Sequence, residues 1–425
     1  MLTLAQIRGN LDELKKQLSV KKFDQTDLLE KAIQLDDRRK ALQTEHDAIL
    51  SESKSAAKEI GKLMGQGLKD EAEAAKQKTA ELKERSKAMT VEQHEIADQL
   101  RDTLLAIPNI PFHLVPEGNS EDDNELIREG GSKPELGEDA KPHWELAKEF
   151  NLIDFELGVK ISGAGFPVYI GAGAKLQRAL ASYFLDQGTA AGYLEYQPSL
   201  LVNEDSGYGT GQLPDKEGQM YKLADDNLYL IPTAEVPVTN ILRDSIVPHD
   251  KLPLKMTAYT SCFRREAGSY GKHVRGLNRL HQFEKVEIVQ VATPDRSYEI
   301  LDEMVSYVET LVQALGLPYR IVRLCGGDLS FASAMTYDFE VWSAAQQRWL
   351  EISSVSNFET FQANRLKLRY SDADNKKHLA HTLNGSALAF PRVLAALLEN
   401  NQTADGIEIP EVLQPYTGFA RIEKS

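Results

Sequence analysis

The chain has 425 residues, with 49 Lys and Arg against 64 Asp and Glu, a formal charge of −15, 42% apolar residues and 27% charged ones. That length accommodates two or three domains and a sizeable core, and the apolar fraction excludes wholesale disorder. The acidic balance excludes a protein that coats nucleic acid non-specifically, which needs a basic field, but leaves room for a nucleic acid held on one locally basic element.

Only two cysteines occur, Cys262 and Cys325, 63 residues apart. Neither belongs to a C-x-x-C pair, so neither a disulfide framework nor a Cys-rich zinc site is expected. No apolar run reaches membrane-spanning length, and the first residues (MLTLAQIRGNLDELKKQ) lack the apolar core of a secretory signal. The expected compartment is the cytoplasm.

The first 105 residues contain no proline and no tryptophan, whereas both recur from Pro108 onward, which marks a domain boundary near Ile107. Before it, Leu28, Leu35, Leu42, Ile49, Ala56 and Leu63 recur every seven residues. Glycines at 61, 65 and 67 are expected to break that helix. A second run, Leu68, Ala72, Ala75, Thr79, Leu82, Ser86, Met89, Gln93, Ile96 and Leu100, alternates spacings of four and three, a heptad seam. Two such runs joined by a short turn predict an antiparallel helical hairpin over about 27–105 and roughly 55 Å long. Ala, Thr, Ser and Gln at many core positions make it a slender rod, which on that evidence alone reads as a spacer or dimerisation coil. Its charge adds something: Glu52 to Lys87 holds nine Lys/Arg against seven Asp/Glu, while the base holds five against ten. A rod with a basic far end suits an anionic partner met at a distance.

From 109 to 145 the chain is acidic and rich in Pro and Gly, and reads as a linker over the surface. Beyond it, alternating strands and amphipathic helices are mixed without a βαβ period, which predicts an antiparallel sheet with helices packed on it. There is no P-loop, no G-x-G-x-x-G after a strand, no G-x-S-x-G and no H-E-x-x-H.

Four segments carry chemistry. KMTAYTSCFRREAGSYGKHVRGLNRLHQFEKVEIVQV reads as strand, loop, strand, with Arg264 and Glu266 two apart on one face and Phe283 and Glu287 four apart on one face. Arg can clamp a phosphate, Phe can stack on a purine and a carboxylate can hold an ammonium group. RWLEISSVSNFETFQANR puts Glu351 and Ser354 on a strand, two oxygen donors suited to Mg²⁺. HTLNGSALAFPRVLAALLENNQ predicts a strand over 382–390 and then a helix with Pro391 at its first position and Arg392 in its first turn, where a phosphate is favoured. LQRALASYFLDQGTAAGYLEYQPSLLV predicts a helix and a short strand ending at Pro198.

In this order the four segments resemble the motifs of the class II aminoacyl-tRNA synthetases. Helix, strand and Pro198 (about 173–198) resemble motif 1. FRRE at 263–266 with the returning HQFEKVE (about 257–291) resembles motif 2, and the Glu351 strand (about 349–354) with the Arg392 strand and helix (about 382–400) resembles motif 3. The hairpin, IPTAE at 231–235 and TLNGS at 382–386 narrow the resemblance to the bacterial-type seryl-tRNA synthetases, over essentially the whole chain.

The resemblance implies an α+β chain: an antiparallel two-helix coiled-coil arm in a tRNA-binding domain at 1–107, a linker at 108–145, and a class II catalytic domain at 146–425 built on an antiparallel β-sheet flanked by helices. It implies ATP-dependent activation of L-serine and transfer of the seryl group to the 3′ end of tRNA(Ser), and of tRNA(Sec) where present. Arg264, Glu266 and Arg392 would be catalytic. ATP would meet Arg264, Arg265, Glu266, Arg279, Leu280, Phe283, Glu351, Ile352, Ser353, Ser354 and Arg392, with Glu351 and Ser354 holding Mg²⁺. Serine would meet Thr233, Ala234, Glu235, Arg264, Glu287, Asn384 and Ser386. Lys54, Lys58, Lys62, Lys76 and Lys83 on the arm, with Lys272 and Arg275, would contact the long variable arm and the acceptor end of the tRNA. Motif 1 would build a homodimer; no zinc and no membrane are implied. A related enzyme that charges a carrier protein would not need the RNA arm, and a non-catalytic adaptor would have no use for Arg264 and Arg392.

Overall fold

The computed structural model describes residues 1–137, 140–215, 217–266 and 275–424. Two compact units form: Met1–Ser19 with Phe23–Pro108, and Val20–Lys22 with Asn109–Ser425.

In the first unit, short helices α1 (Leu4–Gly9) and α2 (Leu11–Val20) precede the long helices α3 (Asp27–Gly65) and α4 (Lys69–Leu105). The seam follows the heptads through the middle: Leu42 and Ile49 of α3 pack with Leu82 and Met89 of α4. At the base the register differs from the heptad expectation. Leu29, Ala32 and Asp36 are buried, while Leu28 and Leu35 are only half-buried. The cause is α1, whose Arg8 reaches Asp36 at 2.9 Å. Burial pushes the Asp36 carboxyl up, but hydrogen bonds from Lys40, Arg39 and Arg8 outweigh it and hold it down at about 2. Gly61 does not break the helix; α3 runs on through Gly65. The turn is made at 66–68, with Gly67 in the left-handed region at φ 77°. Arms of 39 and 37 residues give a rod about 55–60 Å long.

The second unit is built on eight strands: β1 (Glu125–Gly130), β2 (Leu194–Glu195), β3 (Leu254–Phe263), β4 (Gln282–Ala292), β5 (Tyr319–Arg323), β6 (Met335–Ser343), β7 (Arg348–Asn357) and β8 (His381–Ala389). Their spatial order is β1-β5-β6-β7-β8-β4-β3-β2, antiparallel throughout except for β2 beside β3. The strand period of two sorts the two faces. On β4, Val286, Ile288 and Ala292 join the main core, and Val289 and Val291 join a second cluster on the opposite face. Helices α5 (His143–Glu149), α6 (Gly171–Ala190), α7 (Glu235–Asn240), α8 (Ser297–Ala314), α9 (Thr360–Leu366) and α10 (Phe390–Asn400) are used below. The apolar residues of α6, α8 and α10 fill the main core.

The segment at 109–145 is not a bare linker. Asn109 and Phe112 donate backbone hydrogen bonds to Phe331 and Ala334, at 2.9 and 2.8 Å. Residues 125–130 then add strand β1 to the sheet edge, pairing Glu125 with Arg323 and Gly130 with Tyr319. The acidic, exposed side chains concealed this strand because an edge strand is held by its backbone, and charges protect it from further pairing. Among the described residues no helix is long and apolar enough to cross a membrane.

Candidate active site

β3 and β4 deliver most of the site. Just past β3, the Arg264 backbone N–H donates to the His281 carbonyl at 3.0 Å, which closes the mouth of the intervening loop. The Arg264 guanidinium lies over the Phe283 ring, 5.2 Å from its centroid, and its Nε donates to the Pro232 carbonyl at 3.4 Å. Glu266 follows with φ 51°, a left-handed backbone that turns its side chain to pair with Arg279. Arg265 is exposed.

Phe283 and Glu287 share a face of β4, and the same alternation puts Lys285 between them. Lys285 was not expected. It is buried, donates from Nζ to Thr233 Oγ1 at 2.8 Å, and forms an ion pair with Glu287. Thr233 also accepts the Glu235 N–H at 3.2 Å, so the 231–235 segment is fastened to the sheet by its own side chains. Ala234 is fully buried below it. The Glu235 carboxylate accepts from Gln362 Nε2 of α9 at 2.6 Å, and Gln362 in turn accepts from Thr382 at 2.7 Å. Burial first, and the Glu287 charge second, push the Glu235 carboxyl up to about 7. Burial also raises Glu287, opposed by the Lys285 charge. Lys285 acts on both acids, and the Arg264 charge also acts on Glu287. Asn384 and Ser386 on β8 complete its wall, Ser386 lying opposite Glu287 in the ladder.

The second half is on β6, β7 and α10. Residues three apart on a regular strand face opposite ways, yet Ser354 Oγ meets Glu351 Oε1 at 3.4 Å. A bulge does this: Ser353 pairs with Phe339 and Glu351 with Glu340, leaving Ile352 as the extra residue. Asp338 sits opposite Ser354, buried, with Oδ1 lacking any hydrogen-bond partner. Burial and then the Glu351 charge push its carboxyl well above the ordinary range. Asp338, like Lys285, was missed, although its alternation with Glu340 on β6 was a usable signal. Pro391 lies in the first turn of α10, one position later than expected because Phe390 already starts the helix. From the same turn, Arg392 donates to the carbonyls of Glu351 at 2.8 Å and Asn278 at 3.1 Å, and its guanidinium lies 3.6 Å from the Glu351 carboxylate.

The remaining expected contacts are less open. Leu280 and Ile352 are core residues, 4% and 1% exposed, so only their backbones can reach a ligand. Ser353 Oγ donates to the Ser386 carbonyl at 2.6 Å. Arg275 lies over Trp144, 4.9 Å from the ring centroid, and Lys272 falls outside the described residues. On the arm, Lys54, Lys58, Lys62, Lys76 and Lys83 are all exposed, with Lys76 paired to Glu73 at 3.1 Å.

The site joins a stacking ring under an arginine, a buried pocket lined by two carboxyl groups and a lysine, and a group of hard oxygens beside a second arginine. Comparison with known proteins gives these parts a family. Residues 1–111 match a family model described as the seryl-tRNA synthetase N-terminal domain, and residues 221–401 match the tRNA synthetase class II core domain (G, H, P, S and T). The serine–tRNA ligase of Salinibacter ruber is 50% identical over 99% of both chains, and that of Geobacter sulfurreducens is 46% identical over 98% of this chain and 99% of its own. Among solved structures, the Pyrococcus horikoshii seryl-tRNA synthetase complexed with ATP matches over 100% of both chains at 32% identity and a TM-score of 0.91. Agreement at both ends of the sequence, and over the fold that carries the site, means that the chain belongs to the seryl-tRNA synthetase family.

Proposed function

We propose that this chain activates L-serine with ATP to seryl-adenylate and pyrophosphate, then passes the seryl group to the 3′ end of tRNA(Ser), and of tRNA(Sec) where present. The observation that carries this reading is one sheet face holding Arg264 over Phe283 a few residues from the buried Glu287–Lys285–Thr233 group.

In this reading the adenine stacks on Phe283, with Glu266 accepting from its amino group. Arg264 holds the α-phosphate and draws off the charge that builds there as the serine carboxylate attacks. Arg392 and Arg279 hold the outer phosphates, with Arg265 at the rim. Phosphoryl-type transfer needs this positioning and neutralisation more than a nucleophilic side chain, consistent with the absence of a triad signature from the sequence. The serine ammonium enters against the Glu287 carboxyl, while Thr233, Ala234, Glu235, Asn384 and Ser386 surround the side chain. A polar pocket rejects alanine because its groups would be left unpaired, more strongly than a cavity could.

The oxygens of Glu351 and Ser354 suit Mg²⁺, and the orphaned, buried Asp338 Oδ1 beside them is the kind of group a hard cation would relieve. Glu351 and Ser354 would hold the ion, and Mg²⁺ would neutralise charge on the phosphates. The arm would meet the long variable arm of the tRNA through its exposed lysines, with Arg275 toward the acceptor end. The motif 1 helix and strand, where Leu194 on edge strand β2 is 61% exposed, would form a homodimer interface, in a cytoplasmic protein.

Serine-dependent exchange of pyrophosphate into ATP tests the reading. Exchange is expected with serine and is expected to fall by about 10³-fold in Arg264→Ala, the scale of losing one transition-state ligand. Equal exchange with alanine, or an unchanged Arg264→Ala variant, would overturn it.

A further inference from the structure

Helix α5 brings a residue to the site that the reading above does not use. His143 is fully buried. Its Nε2 accepts the Leu277 backbone N–H at 2.8 Å. An acceptor at Nε2 of a neutral ring puts the proton on Nδ1, which donates to Glu399 Oε1 at 2.7 Å. The tautomer is therefore fixed from both sides.

Glu399, also fully buried, lies two turns along α10 from Arg392. It accepts in addition from the His143 N–H at 3.0 Å, from Gln346 Nε2 at 2.9 Å and from Ser343 Oγ. The Gln346 carbonyl oxygen accepts from Asn278 Nδ2 at 2.8 Å. The result is a closed ring, Leu277–His143–Glu399–Gln346–Asn278, that grips two consecutive residues of the chain. The approach is close enough to require glycine next door. Gly276 sits at φ 68°, and a Cβ there would fall 2.3 Å from His143 Nε2. The gripped pair leads directly to the phosphate side of the site: the Asn278 carbonyl accepts from Arg392 Nε at 3.1 Å, and Arg279 is the next residue.

We propose that His143 and Glu399 form a positioning device for the two arginines that hold the outer phosphates of ATP. They lock residues 277–278 to the same helix that carries Arg392, so that Arg279 and Arg392 keep a fixed separation. Such a buried ring favours one geometry, because rotating His143 or Glu399 would strand a polar group out of water. The device acts on the triphosphate alone. The serine pocket is built on β4, β8, α7 and α9, and among the described residues none of its side chains hydrogen-bonds a member of the ring.

This inference rests on Arg392 and Arg279 acting as phosphate ligands. The test is the pyrophosphate exchange assay with KM measured separately for ATP, pyrophosphate and serine. His143→Leu is expected to raise KM for ATP and for pyrophosphate roughly tenfold, the size of one lost buried hydrogen bond, and to leave KM for serine within about twofold. His143→Gln, whose amide can accept from Leu277 and donate to Glu399, is expected to restore both constants to within about threefold. A folded His143→Leu enzyme with unchanged KM for ATP, or with all three constants raised alike, overturns the proposal. If His143→Leu does not fold, the half-buried Gln346→Ala is read by the same constants, and an unchanged KM for ATP there overturns it as well. Arg392→Ala measured alongside separates the two levels. No shift in its KM for ATP removes the phosphate reading itself; a shift there with none in the ring variants removes only the positioning role.

Discussion

Glu235→Gln should make the protein more stable and worse at its task. The Glu235 carboxyl is pushed from 4.5 up to about 7 by burial and by the Glu287 charge. A folded value above the unfolded one means that the unfolded chain gives up its proton first. Stability is therefore lost as pH rises from 4.5 toward 7, and the deficit is complete above that. A shift of this size is worth about 3 kcal/mol at 1.36 kcal/mol per pH unit. Gln keeps the carbonyl that accepts from Gln362 and carries no charge to bury. Thermal unfolding of the ligand-free protein at pH 5 and pH 8 measures the effect. At pH 8 the transition of the second unit should move up by about 5 °C in Glu235→Gln, while at pH 5 the two proteins should nearly coincide. Serine KM should rise in the same variant, since the stored cost is what the amino acid's polar groups relieve on binding. A variant equally stable at both pH values relative to the parent, or less stable at pH 8, would refute the reasoning.

Three other outcomes are expected. Lys285→Met removes the counter-charge of the buried Glu287, so the second unit should be destabilised by about 3–5 kcal/mol; denaturant unfolding checks it. Glu351→Gln should weaken Mn²⁺ binding in the presence of ATP about tenfold, read by the spin-resonance signal of free Mn²⁺ independently of turnover. Replacing residues 27–105 by a short flexible linker should leave serine-dependent exchange within about threefold and abolish aminoacylation of tRNA(Ser), because adenylate formation draws on no residue of the arm.

What the sequence disclosed followed from periodicity. From Ala72 to Leu100 the α4 seam was legible, though Leu68 at the turn is exposed, because hydrophobic spacing on an isolated hairpin has one cause, the partner helix. At the base of α3 a second neighbour, α1, competes for the same helix, and the spacing then misleads. Strand alternation placed Phe283 and Glu287 on one face, and the same alternation puts Lys285 between them. Glu351 and Ser354 were grouped by their chemistry alone, since alternation would set them on opposite faces; a one-residue bulge brings them together, and a bulge has no local signature when its extra residue is an ordinary isoleucine. Edge strand β1 and the His143 ring were hidden for another reason. The partners of β1 are 189 to 198 residues away and those of His143 are 134 and 256 away, and nothing local in an acidic, Pro-rich stretch reports a backbone ladder or a buried imidazole.

The hairpin has a mechanical consequence of its own. Beyond its base, each turn of α3 touches only the facing turn of α4, so its cohesion there is a sum of nearest-neighbour terms, as in a zipper. Four large side chains, Leu42, Ile49, Leu82 and Met89, sit in its middle, while the last turns before 66–68 rely on Ala56 and Ala72. Opening from the turn therefore costs least and grows steeply toward the centre, which makes the far end a compliant element whose amide protons exchange first. A partner of irregular shape can bend or unzip that end at small cost, and the damage stops at Ile49 and Leu82.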